Sequence, residues 1–168
     1  MTEEILRQNL IATCRGEVGV KEYPPKSNST KYGIWYGMDR VAWCCIWISW
    51  ILDAIGISDM KEIKGYKKGF SHTKHIMDYA KKYNLFTENP QKGDIAMVDF
   101  KTDEYIDHIA FFEKFKTDSR DAFLYEGNTS MNNKESQANG GEVCYKFREE
   151  HYIVCYISIS KLLQQAVK

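Results

Sequence analysis

Cys44 opens the run Trp43-Cys44-Cys45-Ile46-Trp47-Ile48-Ser49-Trp50-Ile51-Leu52-Asp53, apolar on nearly every side, the pattern of a helix buried in a core. A thiol at the start of such a helix faces unpaired amides and the positive end of the helix dipole. That placement favours the thiolate, which is the nucleophilic form. Cys45 points about 100° away around the same helix and reads as core. Packing is the competing reading for both, because free cysteine is commonly a small buried residue. A nucleophilic thiol needs a proton carrier, and His108 is the candidate, early in the strand-like run 107–115 after the polar turn Lys101-Thr102-Asp103-Glu104. His72, His75 and His151 sit in polar surroundings and read as structural or exposed. The i, i+3 pair His72 and His75 could bind a metal, but no third ligand stands close in sequence.

The segment Tyr125-Glu126-Gly127-Asn128-Thr129-Ser130 supplies the third element. Glu126 and Asn128, two apart at a strand end, are expected on one face. An acceptor beside the imidazole would hold its Nδ1 proton and leave Nε2 free toward sulfur, the orientation a Cys-His pair requires. Asp107 is a poorer candidate, since neighbouring strand residues point to opposite faces. Taken alone, Glu126-Gly127-Asn128 would read as a hairpin end.

These side chains need a frame. Apolar positions Ile5, Leu6, Leu10 and Cys14 predict a first helix over 3–16 with Thr2 as its cap. Residues 19–40, with Pro24-Pro25, Ser27-Asn28-Ser29 and three glycines, predict an ordered loop carrying Tyr32, Trp35 and Tyr36. The buried helix starts at Trp43 and ends near Gly56, and an amphipathic helix is expected over 71–82. After Pro90 come five strand-like runs, 94–100, 107–115, 121–127, 141–147 and 152–158. Helices first and strands second predict an α+β fold, an antiparallel sheet packed against N-terminal helices. Residues 1–160 form one domain in this reading, with 161–168 a tail or the start of a linker.

Composition narrows the partners. Lys plus Arg and Asp plus Glu both total 23, so no basic field points to nucleic acid or to a membrane surface. The acidic start Met1-Thr2-Glu3-Glu4 is unlike a secretory signal, and no apolar run reaches membrane-spanning length. A chain made in the cytoplasm is expected. Five cysteines without a C-x-x-C pair suggest neither a disulfide framework nor a zinc site. Oligomeric state is not readable from these features.

Together these segments resemble the cysteine- and histidine-dependent amidohydrolase/peptidase (CHAP) family over most of the chain. The resemblance rests on Glu17-Val18-Gly19-Val20-Lys21-Glu22, Ser27-Asn28, Trp35-Tyr36-Gly37 and Ala42-Trp43-Cys44. It continues with Pro90, Gly93-Asp94-Ile95, Asp107-His108-Ile109, Glu126 to Ser130 and Gly140-Gly141. It implies a papain-like fold of the NlpC/CHAP type. It also implies Cys44 as nucleophile, His108 as base and then acid, Glu126 as orienting carboxylate and Asn128 as a fourth polar member. The expected substrate is bacterial peptidoglycan, cut at the N-acetylmuramoyl-L-alanine amide or, alternatively, inside the stem or cross-bridge peptide. Trp35, Tyr36 and Trp43 are expected at the substrate, with Tyr66 and Tyr105 also on the rim, and Tyr36 as a side-chain oxyanion donor. An enzyme resembling bacteriophage endolysins would reach the wall after holin-type release. The D-x-D calcium loop of some relatives is missing, with Ser27-Asn28-Ser29 and Asp39 in its neighbourhood, so no metal and no cofactor are expected. A wall-binding module without catalysis is the reading from another class, and it would expect the thiol or the imidazole to be replaced.

Overall fold

Thr2 closes the first turn of helix α1 (Glu3–Glu17), its hydroxyl accepting the Ile5 amide at 3.4 Å, as expected of a Thr cap. The structure, a computed structural model, describes residues 2–57, 68–103 and 105–166. Within the stretch expected as loop lies a short helix, α2 (Lys31–Tyr36), capped by Thr30 and ended by Gly37 at φ 86°. Both signals are in the sequence, but six residues are too few for an apolar period to register. The buried helix is α3 (Cys44–Ala54), and the amphipathic one is α4 (Thr73–Tyr83), stopped by Asn84 in the left-handed region.

The strands are β1 (Phe86–Thr87), β2 (Ile95–Val98), β3 (His108–Phe115), β4 (Ala122–Thr129), β5 (Glu142–Arg148) and β6 (Ile153–Ile157). They form one antiparallel sheet in the order β1-β6-β2-β3-β4-β5. The fold is α+β, as the segregation of helices and strands predicts. The two-residue β1 carries no pattern that a sequence reading could detect.

Why β2 and β3 read as continuous apolar runs is clear from their two faces. Ile95, Met97, Ile109 and Phe111 belong to the main core with α1 and α3, while Ala96, Val98, Ala110 and Phe112 form a second cluster with Leu124 and Tyr156. Both faces exclude water, so alternation is lost. Helix α3 packs on β3 and β4. Its approach depends on Gly127, where a Cβ would stand 2.7 Å from Trp47; no larger side chain fits without moving the helix.

The C-terminal segment is part of this core. Helix α5 (Ile159–Ala166) buries Ile159 and Leu162, so a boundary at residue 160 falls inside a packed helix. Arg7 of α1 donates to Asp94 at 2.8 Å and to Ser160 at 2.6 Å, and Asp94 also accepts the Ile159 amide. One buried ion pair thus fastens α1, the start of β2 and α5 together. Among the described residues no helix is long and apolar enough to cross a membrane.

Candidate active site

Cys44 is the first residue of α3, and its cap, Trp43, contributes no side-chain hydrogen bond to the helix start. The backbone amides of that first turn are therefore left to whatever binds there. His108 is the first residue of β3, and Glu126 lies on the adjacent strand β4. Their side chains meet, with His108 Nε2 and Glu126 Oε2 3.1 Å apart. Cys44 retains 7% exposure while His108 and Glu126 have none. A ligand would meet the sulfur first.

The ring is turned the other way from the sequence expectation. Nε2, not Nδ1, faces the carboxylate, because the outer nitrogen of the ring is the one that spans the gap to the neighbouring strand. Nδ1 is buried without a hydrogen bond of ordinary geometry. It is the nitrogen left for the thiol, whose interaction with the ring is among the causes that set its charge.

Burial alone would pull the His108 pKa down, but hydrogen bonding to Cys44 and Glu126, and their charges, push it up to about 9. Burial would raise the Glu126 pKa, yet hydrogen bonds from Arg148 and His108 hold it down at about 2. Both shifts favour imidazolium and carboxylate over the neutral pair. The neighbouring thiol is different in kind: burial pushes the Cys45 pKa well up, with the charge of Cys44 adding to it. Burial acts first on Cys14, Cys144 and Cys155 as well, in the same direction. Cys44 alone among the five has the imidazole beside it.

Arg148 on β5 was not singled out by sequence reasoning. Its Nε donates to Glu126 Oε1 and its Nη2 to Oε2, both at 2.7 Å, and Nη2 also donates to Thr129 at 3.2 Å. The Phe100 ring covers both cations, 4.6 Å from the guanidinium carbon and 5.5 Å from the imidazole centroid. Phe100 is thus an apolar lid that also favours positive charge beneath it. The only sequence signal for Arg148 is a cation at the end of a strand that also carries Lys146 and Glu142, and a solvated strand end looks the same.

Other expected members lie elsewhere. The strand alternation from Glu126 to Asn128 fails, because a bulge interrupts β4 there and Asn128 stands at φ 61°. Asn128 is fully buried, donates to Asn139 at 2.8 Å and accepts the Gly141 amide at 3.3 Å. No hydrogen bond joins it to His108 or Cys44 among the described residues, so it ties the 139–141 loop to β4. Asp107 accepts the Phe100 amide at 3.2 Å and shapes the turn before β3.

Trp43, expected at the substrate, is fully buried and stacked on Tyr32 at 5.3 Å. It has no surface to offer, because a residue that starts a buried helix is itself buried. Tyr36 is also buried, and its hydroxyl donates to the Gly69 carbonyl at 2.8 Å, which holds the proton an oxyanion would need. Trp35 keeps a half-exposed ring on α2, the helix that packs beside α3, with the Lys68 ammonium 4.9 Å over its face. Tyr105 is 78% exposed in the turn leading to His108. Tyr66 lies outside the described residues.

Asp39 accepts from Ser29 at 2.7 Å and from the Thr30 amide at 3.1 Å, pinning the loop before α2. His72 and His75 meet edge to face at 5.4 Å. Among the described residues no three His, Cys, Asp or Glu side chains gather as a metal site. No protein-family model, curated protein or solved structure matches the chain.

Proposed function

We propose that this chain is a cysteine amidohydrolase of the papain-like, CHAP type that cleaves an amide of bacterial peptidoglycan. The observation that carries the reading is the line Cys44, His108, Glu126: a slightly exposed sulfur at a helix start, an imidazole beside it, and a carboxylate on the far ring nitrogen. That is the arrangement a thiol nucleophile requires. A buried helix whose start abuts an antiparallel sheet supports the papain-like form. A non-catalytic wall-binding module has no need of it.

In the proposed reaction the Cys44 sulfur bonds to the amide carbonyl carbon, and the carbonyl oxygen takes the negative charge. The Cys44 backbone N–H, at the start of α3, donates to that oxygen. The C–N bond breaks as the His108 imidazolium gives its proton to the leaving amine, leaving a thioester. Water then attacks the thioester, His108 takes the water proton, and the acid leaves as the sulfur is regenerated. Glu126 holds the ring through Nε2 in both steps.

The N-acetylmuramoyl-L-alanine amide is the preferred bond, with stem or cross-bridge peptides as the alternative. Trp35 and Tyr105 are available as walls for an extended substrate. Action at the wall after holin-type release follows from the same reading. Purified protein incubated with cell walls should release amine, and Cys44→Ala should release none, while Cys45→Ala stays active. Mass spectrometry of the fragments names the bond. Equal release by wild type and Cys44→Ala, or none from several wall types, would overturn the reading.

A further inference from the structure

We propose that Arg148 is a positioning residue, whose fixed cation keeps the buried Glu126 ionised and aimed at His108 and so keeps the proton on the imidazole beside Cys44. The inference rests on the catalytic reading above and adds a residue to it.

The difficulty Arg148 resolves is one of proton placement. Glu126 and His108 are both fully buried, and one proton shared by such a pair has two resting places. It can sit on the ring, giving two opposite charges, or on the carboxylate, giving two neutral groups. Burial favours the neutral arrangement, since taking charge out of water is costly. A neutral ring cannot give a proton to a leaving amine.

A guanidinium cannot release its proton in a protein, so its charge is permanent. Set 2.7 Å from both carboxylate oxygens, it favours the ionised form of Glu126 and drives the shared proton to His108. The charges then alternate along the line: Arg148 positive, Glu126 negative, His108 positive.

Arg148 is itself held rigidly. Nη1 donates to Gln137 at 2.9 Å, Nη2 to Thr129 at 3.2 Å, and the guanidinium carbon lies over the Phe100 ring. These three anchors, none of them Glu126, fix where the fork points, as a positioning role demands. The remaining charged and titratable groups facing the pair do not substitute. Lys146, also on β5, commits its ammonium to Ser130 and Asn133 at 2.7 Å each. Cys144 on β5 is bonded to Glu142 and its thiol is pushed up to about 12, chiefly by burial. Cys44 on α3 acts on the ring and not on Glu126.

The test reads proton position directly, without any cell-wall substrate. In protein labelled at histidine and glutamate, nitrogen and carbon chemical shifts at neutral pH report whether His108 is doubly protonated and whether Glu126 is ionised. Wild type should show imidazolium and carboxylate. Arg148→Met should show a neutral His108 ring and a protonated Glu126, and its Cys44 should be alkylated by iodoacetamide about tenfold more slowly or worse, because the cationic partner of the thiol is lost. A folded Arg148→Met that keeps the imidazolium and the wild-type alkylation rate would overturn the proposal. If that variant does not fold, the double variant Thr129→Val, Gln137→Ala keeps the cation but frees the fork. It should move the proton partway to Glu126, and unchanged shifts there would overturn the proposal equally. Hydrolysis assays sit apart from these readings, so an inactive wild type would remove the function without touching the proton measurement.

Discussion

His108 owes its charge to two neighbours working against its own burial, and each can be removed separately. Loss of the Cys44 thiol removes the first of the interactions that raise the ring, so burial regains weight. In Cys44→Ala the His108 resonance should titrate at lower pH than in wild type, and Glu126→Gln should lower it too. A Cys44→Ala midpoint equal to wild type would mean that sulfur and ring do not touch. Under the proposed mechanism, Glu126→Gln should also cost about 10²–10⁴ in kcat on cell walls, the range of general acid-base catalysis. Cys44, His108 and Glu126 were legible because each residue type is uncommon in its setting: a thiol opening an apolar helix, a histidine opening an apolar strand, a carboxylate near a strand end. Arg148 was not, since its meaning comes from a partner 22 positions away. Nor was the ring orientation, which depends on which nitrogen reaches the next strand.

At the level of elements, the site exists only where the start of α3 meets the ends of β3 and β4. Gly127 sets that meeting, because the Trp47 ring lies where its Cβ would be. Gly127→Ala should destabilise the fold by about 1–3 kcal/mol in urea unfolding, the usual cost of overpacking. Its activity should fall further than stability alone explains, since α3 carries Cys44 away from His108. A variant with wild-type stability and activity would show that the helix can shift freely. Strand positions were readable within a residue or two because apolar runs between polar turns leave few other options. The failure at Asn128 has a physical cause: a left-handed residue in a bulge breaks the two-residue period on which face arguments rest. Gly140 shows the same crowding from the other side, where a Cβ would stand 2.2 Å from the Thr129 backbone. The chain around the bulge is packed against its own loop.

For the molecule as a whole, the buried pair links pH to stability, and the signs follow from the two shifts. His108 rises from 6.5 to about 9 on folding, so its contribution is complete below about 6.5 and is lost as pH rises through 9. Glu126 falls from 4.5 to about 2, so its contribution is complete above 4.5 and is lost as pH falls through 2. The melting temperature should therefore be flat between these limits as far as this pair is concerned, and should decline on both sides. In His108→Phe the decline between pH 6.5 and 9 should be reduced. An unchanged alkaline slope in that variant would assign the loss to other groups.

The clasp of Arg7, Asp94 and Ser160 has a further consequence. Glu3 shares it, bonded to both Arg7 and Ser160, so the first turn of α1 and the first turn of α5 lie side by side. From Ser160 the last described helix runs on for only six residues, about 9 Å. The clasp thus closes the polypeptide from residue 3 to residue 160 into one loop. A chain nicked at an exposed turn such as 116–120 should keep its two pieces joined through the clasp, with the sheet and the Cys44 site in register.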